Sequence, residues 1–381
     1  MTISQTVFDV IDRVAIPTDP VAAQTIRQHR VKISGFIQTA YDAIFVDSST
    51  VMDIALRLTS ATQVATLTGE PDLAVFYDDE LRRYTCGRAG AASEAQRAAV
   101  AAHVRRVTLA PETCDRAALD ALRSAGVSTE DIVTLSQLIG YVAFQARVIA
   151  GVRAIAGVEK APVVPDVAMA PMVPVRHDGF TTDSLDWASW LTPVDVASGT
   201  PEQLAILDES GPTARKSAYY LTLIHDADVL RQRSAAYNAI MYAPGGLDRA
   251  DRELGALVVS TLNGCPYCAS VHAQRLIQLS KRADLVRAVF ADPMSAGESD
   301  RDRALILYAQ RLTLYANEFS TADVERLRAV GLSDGEILDY THAVAIFGWA
   351  NRLMQTLGEP VHRQAESAQE GASRVGGTDH A

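Results

Sequence analysis

Along most of this chain, apolar residues recur every three or four positions, which is the spacing of one face of an α-helix. A clear example runs through Leu254, Leu257, Val258 and Leu262, and the pattern stops at Asn263-Gly264. No run shows a convincing alternation of apolar and polar residues, which a half-buried strand would require. We therefore predict an all-α fold.

Helix starts are indicated by a serine with an acidic residue three positions later, the order found in capping boxes. Ser128 and Ser333 both have this arrangement, and Gly126 and Gly331 precede them at positions suited to end the previous helix. We predict a long helix after each serine, the second one stopping near Gly358-Glu-Pro360.

The most apolar stretch of the chain extends from Ile132 to Val158. Polar and charged residues interrupt it at intervals, namely Gln137, Gln145, Arg147 and Arg153. A membrane span would not carry them so regularly, so the stretch is predicted to be a packed helix of the core.

Three blocks of the first half recur in the second half, in the same order and at nearly constant spacing. The pairs are 40–46 with 236–242, 66–77 with 261–272, and 122–132 with 327–337. A repeat of this kind indicates a tandem duplication of one helical unit.

The duplication defines the predicted domain organisation. The first copy occupies residues 1–160 and the second residues 205–363, with a proline-containing linker at 161–204 and a tail at 364–381. The tail is rich in Gly, Ser and charged residues, a composition typical of disordered segments.

Candidate chemistry is concentrated in the second copy. Cys265 and Cys268 form a Cys-x-x-Cys pair, and Pro266 after the first cysteine suits the first position of a helix. Because three or four residues make one helical turn, Cys265, Cys268 and His272 should lie on one face of that helix. Glu253 lies at the edge of the apolar face of the preceding helix.

These residue types suit thiol redox chemistry. The thiolate is the reactive form of cysteine, and a dithiol supplies two electrons by closing into a disulfide. The reduced oxygen or sulfur then needs a proton, which an imidazole oriented by a carboxylate can deliver. We predict Glu253, Cys265, Cys268 and His272 as the catalytic residues, with no cofactor and no metal.

Other readings of the cysteine pair remain open at this stage. The pair could bind structural zinc, although only His272 and Glu253 are available as further ligands, or it could be two inert core residues. The nucleophile is also open: a helix N-terminus favours a lowered pKa at Cys265, whereas the one-turn separation from His272 favours Cys268.

The run from Leu247 to His272, with Glu253 and Cys265-Pro-Tyr-Cys268 inside it, resembles the signature of the carboxymuconolactone decarboxylase/AhpD-like superfamily. Within it, the run is more similar to the alkylhydroperoxidase, peroxidase-related branch, and the resemblance extends over roughly residues 205–360. It implies an all-helical fold, a homo-oligomer and thiol-dependent reduction of a small hydroperoxide or disulfide.

The resemblance also implies residue roles. Cys268 matches the peroxidatic cysteine, Cys265 the resolving cysteine, and Glu253 and His272 the proton relay. One position departs from the pattern: Tyr267 stands where AhpD has a histidine.

The first copy lacks all of these reactive residues. In the register of the repeat, Leu58 replaces Glu253, Glu70 replaces Cys265, Leu73 replaces Cys268 and Tyr77 replaces His272, while Gly69 and Pro71 of the turn remain. We predict that the first copy keeps the fold without redox activity.

Composition narrows the class of protein further. The chain has 381 residues, 48% of them hydrophobic and 21% charged, with a formal net charge of −11. An acidic chain is a poor partner for nucleic acid or an anionic membrane, and neither is predicted as a partner. With four cysteines and no secretory signal at the N-terminus, a cytoplasmic location is expected.

The sequence thus predicts a thiol-dependent peroxidase or disulfide reductase. Its electron donor would be a dithiol, with lipoyl and thioredoxin-like donors as candidates, and we expect a homotrimer or homodimer. Two alternatives are a cofactor-free decarboxylase or isomerase that uses Glu253 and His272, and a non-enzymatic redox-sensing module.

Overall fold

In the computed structural model of the chain, residues 9–46, 52–87, 90–159 and 179–362 are described. Helices account for most of these residues, which confirms the predicted all-α class. The proline-rich first part of the predicted linker, up to residue 178, and the predicted tail at 364–381 lie outside the described residues.

The first half of the chain folds into eight α-helices in its described part. They are α1 (Val10–Ala15), α2 (Pro20–Arg27), α3 (Val31–Phe45), α4 (Ile54–Leu67), α5 (Pro71–Thr85), α6 (Glu94–Leu109), α7 (Arg116–Ser124) and α8 (Thr129–Ile155).

The second half contains nine more within the same described ranges. They are α9 (Pro201–Ser210), α10 (Ala218–Leu223), α11 (Ala227–Tyr242), α12 (Arg249–Leu262), α13 (Pro266–Ser280), α14 (Ala283–Ala291), α15 (Asp300–Leu314), α16 (Thr321–Ala329) and α17 (Asp334–Thr356).

The helix order of the first half returns in the second. Helices α3 to α8 correspond in sequence to α11, α12, α13, α15, α16 and α17. Helix α14 has no counterpart in the described part of the first half, which explains why the spacing between the repeated blocks widens after α13. The domain boundaries themselves stay a prediction.

Each half contains a buried arginine at the equivalent position, and the two arginines make equivalent hydrogen bonds. Arg57 donates hydrogen bonds to the carbonyls of Met52 and Ile44, and so fastens the end of α3 to the start of α4. Arg252 does the same for α11 and α12 through the carbonyls of Leu247 and Ile240. Each guanidinium satisfies carbonyl groups that would otherwise be buried without a partner.

The predicted boundaries of the two long helices are confirmed. The Ser128 hydroxyl accepts the Asp131 N–H at 3.1 Å to begin α8. Ser333 and Glu336 form a reciprocal capping box at the start of α17. Helix α17 ends at Thr356, immediately before the predicted stop.

Helices α8 and α17 pack against each other through the centre of the molecule. Their backbones come close because glycine occupies the contact: a Cβ at Gly140 would collide with Trp349, and one at Gly151 with Thr341. Helix α8 is long and apolar enough to span a membrane by composition, yet its whole apolar window is buried inside the protein.

A pair of equivalent arginines joins the two halves at this contact. Arg147 of α8 donates to the carbonyl of Thr313 in the second half at 2.8 Å, and Arg352 of α17 donates to the carbonyl of Thr108 in the first half at 2.8 Å. Burial lowers the pKa of Arg147 to about 9 and that of Arg352 to about 10. The reciprocal bonds make the contact nearly two-fold symmetric.

A small sheet was not predicted from the sequence. Strand β1 (Leu185–Ser189) pairs antiparallel with β2 (Gly358–His362). Each strand has only five residues, so alternation is too short to stand out; β2 also uses the residues that were read simply as the stop of α17. Part of the predicted linker is therefore packed against the second half.

His342 lies on α17, at the place that Gln137 holds in the first copy. Its ring is fully buried in α17, and neither ring nitrogen has a hydrogen-bond partner in the described part of the chain. Burial, assisted by the nearby Arg27 guanidinium, lowers the pKa of His342 to about 3. The imidazole is therefore buried in its neutral form.

We expect His342 to make the folded protein sensitive to mild acid. Between its ordinary pKa of about 6.5 and the folded value, the unfolded chain binds a proton that the folded chain does not, so stability falls as pH drops. The variant His342→Gln introduces the residue type that the first copy has at Gln137. It should reduce the fall in the free energy of unfolding by up to about 1.4 kcal/mol per pH unit. Urea unfolding of both proteins between about pH 7 and pH 4 measures it; pH-independent differences would contradict the prediction.

Candidate active site

A tight turn between α12 and α13 positions the two cysteines. Gly264 has a positive φ of 64°, a conformation that glycine adopts without strain, and the Cys265 N–H returns to the Ser260 carbonyl at 2.8 Å. The first copy forms the same turn with Gly69 at φ 78° and the Glu70 N–H bonded to the Ala65 carbonyl. The turn is therefore independent of the chemistry it carries.

Cys265 caps the N-terminus of α13, and Cys268 lies within its first turn. Both are buried and carry free thiols. Burial raises the pKa of Cys265 well above the usual value for a thiol. The hydrogen bond that Cys265 donates lowers the pKa of Cys268, and Asn351 and the Arg233 guanidinium lower it further. Of the two open choices for the thiolate, these contacts favour Cys268.

Asn351 of α17 brings a further polar network to the cysteines. Its side-chain oxygen accepts the Asn263 amide at 2.9 Å, and its amide donates to the Ser260 hydroxyl at 3.1 Å. These bonds hold the carboxamide beside both thiols. Sequence reasoning did not identify Asn351 as a site residue, although Ala146 at the matching place in the first copy was a usable signal.

Glu253 and His272 are in direct contact, as their predicted roles require. His272 Nδ1 lies 2.6 Å from Glu253 Oε2, and both side chains are buried. Burial opposes the charge on Glu253, but the bond to His272 and the neighbouring Arg249 outweigh it and lower the Glu253 pKa. A carboxylate so placed fixes the imidazole with its Nδ1 proton toward Glu253.

The other ring nitrogen of His272 faces an aromatic wall. The Tyr237 hydroxyl lies 3.5 Å from Nε2, and the Phe347 ring packs edge-on against the imidazole with ring centroids 4.5 Å apart. Arg249 binds the second Glu253 oxygen at 3.2 Å and is partly exposed. Arg249 thus adds a positive charge at the surface side of the buried pair, which keeps Glu253 in its carboxylate form.

The corresponding region of the first copy is filled. Leu58, Leu73 and Tyr77 are buried in the hydrophobic core, and the Tyr77 hydroxyl donates to Gln145 at 2.6 Å. Glu70, at the place of Cys265, binds the Arg153 guanidinium at 2.5 Å. Every reactive position of the second copy is thus occupied here by packing or by an ion pair.

The two remaining cysteines lie apart from this site. Cys86 is exposed at the end of α5, and burial raises the pKa of Cys114 to about 12. Among the described residues, no group of three or more His, Cys, Asp and Glu side chains is arranged to hold a metal ion.

Comparison with known proteins gives one family and several similar structures. Residues 227–311 match the model of the Carboxymuconolactone decarboxylase family. One similar structure, of the alkylhydroperoxidase AhpD core, is an uncharacterized peroxidase-related protein from Ralstonia eutropha JMP134; it is 27% identical and covers 44% of this chain and 90% of its own, with a TM-score of 0.40.

Another is an uncharacterized peroxidase-related protein from Silicibacter sp. TM1040, which is 26% identical over 44% of this chain and 91% of its own, with a TM-score of 0.38. No curated protein matches the chain.

We expect Asn351 to stabilise the Cys268 thiolate. In a protein with Cys86→Ser and Cys114→Ser, Asn351→Ala should move the pH midpoint of thiolate ultraviolet absorbance upward, because the charged sulfur loses a hydrogen-bond donor. Thiolate absorbance measured across a pH titration gives the midpoint directly. An unchanged midpoint would assign Asn351 a purely structural role.

Proposed function

We propose that the chain, whose residues 227–311 match the model of the Carboxymuconolactone decarboxylase family, acts as a thiol-dependent peroxidase of the alkylhydroperoxidase type. The observation that carries the proposal is the placement of Cys268, whose thiol pKa is lowered by its hydrogen bond from Cys265, one helical turn from the Glu253–His272 pair. A nucleophile and a proton carrier are then available together.

The first step is the reduction of a small hydroperoxide. The Cys268 thiolate attacks the terminal oxygen, so that an S–O bond forms while the O–O bond breaks. The leaving alkoxide takes a proton from His272, with Glu253 stabilising the imidazole as it releases and regains the proton. The products are an alcohol and a sulfenic acid on Cys268.

The second step uses Cys265. Its sulfur attacks Cys268, an S–S bond forms, and the sulfenic oxygen leaves as water after taking the thiol proton. A dithiol donor then reduces the Cys265–Cys268 disulfide by exchange and is itself oxidised to a disulfide. The balance is one hydroperoxide and one dithiol converted into one alcohol, one water and one disulfide.

The donor and the assembly are also part of the proposal. A lipoyl or thioredoxin-like dithiol would supply the two electrons, and the chain would work as a homo-oligomer in the cytoplasm. The first copy would contribute packing surface only, because its equivalent positions hold Leu58, Glu70, Leu73 and Tyr77.

Removal of both thiols should abolish peroxide turnover. Cys265→Ser with Cys268→Ser should remain folded and lose activity, because no dithiol is left at the site to carry the two electrons. Hydroperoxide consumption with dihydrolipoamide as donor measures this, and Cys86→Ser with Cys114→Ser is the matched control. Turnover that survives in the first variant would instead support acid–base chemistry by Glu253 and His272.

The proton relay should contribute to the rate without supplying electrons. Glu253→Gln and His272→Ala should each slow turnover by roughly 10²- to 10⁴-fold, the usual loss for a general acid or base. Both variants should still close the disulfide on prolonged oxidation, which mass analysis of trapped thiols reveals. Wild-type rates would remove Glu253 and His272 from the mechanism.

A further inference from the structure

Arg233 is a buried cation beside the cysteines. It lies on α11 with 4% of its surface exposed, and its guanidinium stacks over the rings of Tyr219 at 5.5 Å and Tyr237 at 5.0 Å. In the described part of the chain it forms no ion pair with a carboxylate, and its Nε has no hydrogen-bond partner. The Tyr219 hydroxyl is likewise buried without a partner there.

Burial of this charge raises the free energy of the folded protein unless an anion balances it. A buried charge that lacks a partner loses its hydration, and the aromatic faces restore only part of the lost free energy. Other buried arginines of this fold have partners: Arg57 and Arg252 donate to carbonyl groups, and Arg153 binds the Glu70 carboxylate. Arg233 has no such set of carbonyls in the described residues. The acidic groups that act on its charge are Tyr219, Tyr220, Tyr237 and Cys268, and the pKa of Cys268 is lowered.

The repeat supplies an independent observation. In the register that aligns Tyr41 with Tyr237, the place of Arg233 is taken by Ile37. Ile37 is buried in the core, so the same position accommodates an apolar side chain. The arginines that fasten backbone carbonyls are kept in both copies, whereas this one occurs only in the copy that has the cysteines.

We propose that Arg233, held between Tyr219 and Tyr237, is the counter-cation of the Cys268 thiolate and sets the redox balance of the Cys265–Cys268 pair. Arg233 acts through the sulfur and is a positioning residue. The inference rests on the proposed thiol chemistry and deepens it.

The consequence for the redox couple follows from charge. Reduction of the disulfide adds two electrons and one proton, which gives a thiol at Cys265 and a thiolate at Cys268. Arg233 stabilises the reduced form and has no equivalent partner in the neutral disulfide, so its presence makes the disulfide more oxidising. The ionisable and polar groups that surround Cys268 on α10, α11, α12, α13 and α17 are Tyr219, Arg233, Tyr237, Glu253, Cys265, His272 and Asn351.

The test compares Arg233→Met, which has similar length and no charge, with Arg233→Lys, which keeps the charge. Both are made with Cys86→Ser and Cys114→Ser. The readouts are thiolate absorbance against pH and the disulfide equilibrium with glutathione. Arg275→Met is the matched control, because it removes an exposed cation from the same helix as the cysteines.

For Arg233→Met we expect the thiolate population near neutral pH to fall about tenfold, equivalent to one pKa unit. The equilibrium constant for oxidation of glutathione should also fall about tenfold, or about 30 mV. Arg233→Lys should recover most of both values, and Arg275→Met should match the parent.

The inference would be overturned if Arg233→Met matched the parent protein both in thiolate absorbance against pH and in the disulfide equilibrium with glutathione. If Arg233→Met does not fold, the Arg233→Lys protein decides: a tenfold loss in both readouts despite the retained charge would also overturn it. Neither measurement uses a peroxide. Failure of the proposed peroxidase activity is therefore seen separately, as absent turnover in a protein whose thiol equilibria still respond to Arg233.

Discussion

The close contact between α8 and α17 is the constraint on which the rest of the structure depends. The contact is possible only because glycine allows Trp349 and Thr341 to reach the opposite backbone. Arg147 and Arg352 fix this contact. Each donates hydrogen bonds to backbone carbonyls, one of which belongs to the other half of the chain. Helix α17 then carries Asn351 and Phe347 to the cysteines and the histidine. The candidate site is thus built on a helix whose position is set by the first copy.

Much of the fold was readable from the sequence because its signals are local. Serine caps and apolar spacing act within a few residues, so α8 and α17 were predicted with nearly correct ends. The two short strands were missed because their pairing joins distant parts of the chain and neither is long enough to show a pattern.

The residues of the candidate site were likewise predicted only in part. Spacing along α13 identified both cysteines and His272, and the contact with Glu253 follows from the turn between α12 and α13. Asn351 and Arg233 come from α17 and α11, and only the folded chain brings them to the thiols. The repeat nevertheless contained a clue to both, because Ala146 and Ile37 stand at the matching places. Both residues therefore stand out in the sequence as polar positions of the second copy that are apolar in the first.

The two-fold character of the α8–α17 contact has a consequence for how such a protein can change. When two identical subunits form a symmetric contact, any substitution appears on both sides at once. Joining the copies in one chain removes that restriction, so positions outside the contact can differ between the copies, as Ile37 of α3 and Arg233 of α11 do. The Arg147 and Arg352 bonds preserve the shared frame during this divergence. Covalent linkage thereby allows one copy to supply packing surface while the other carries the candidate site.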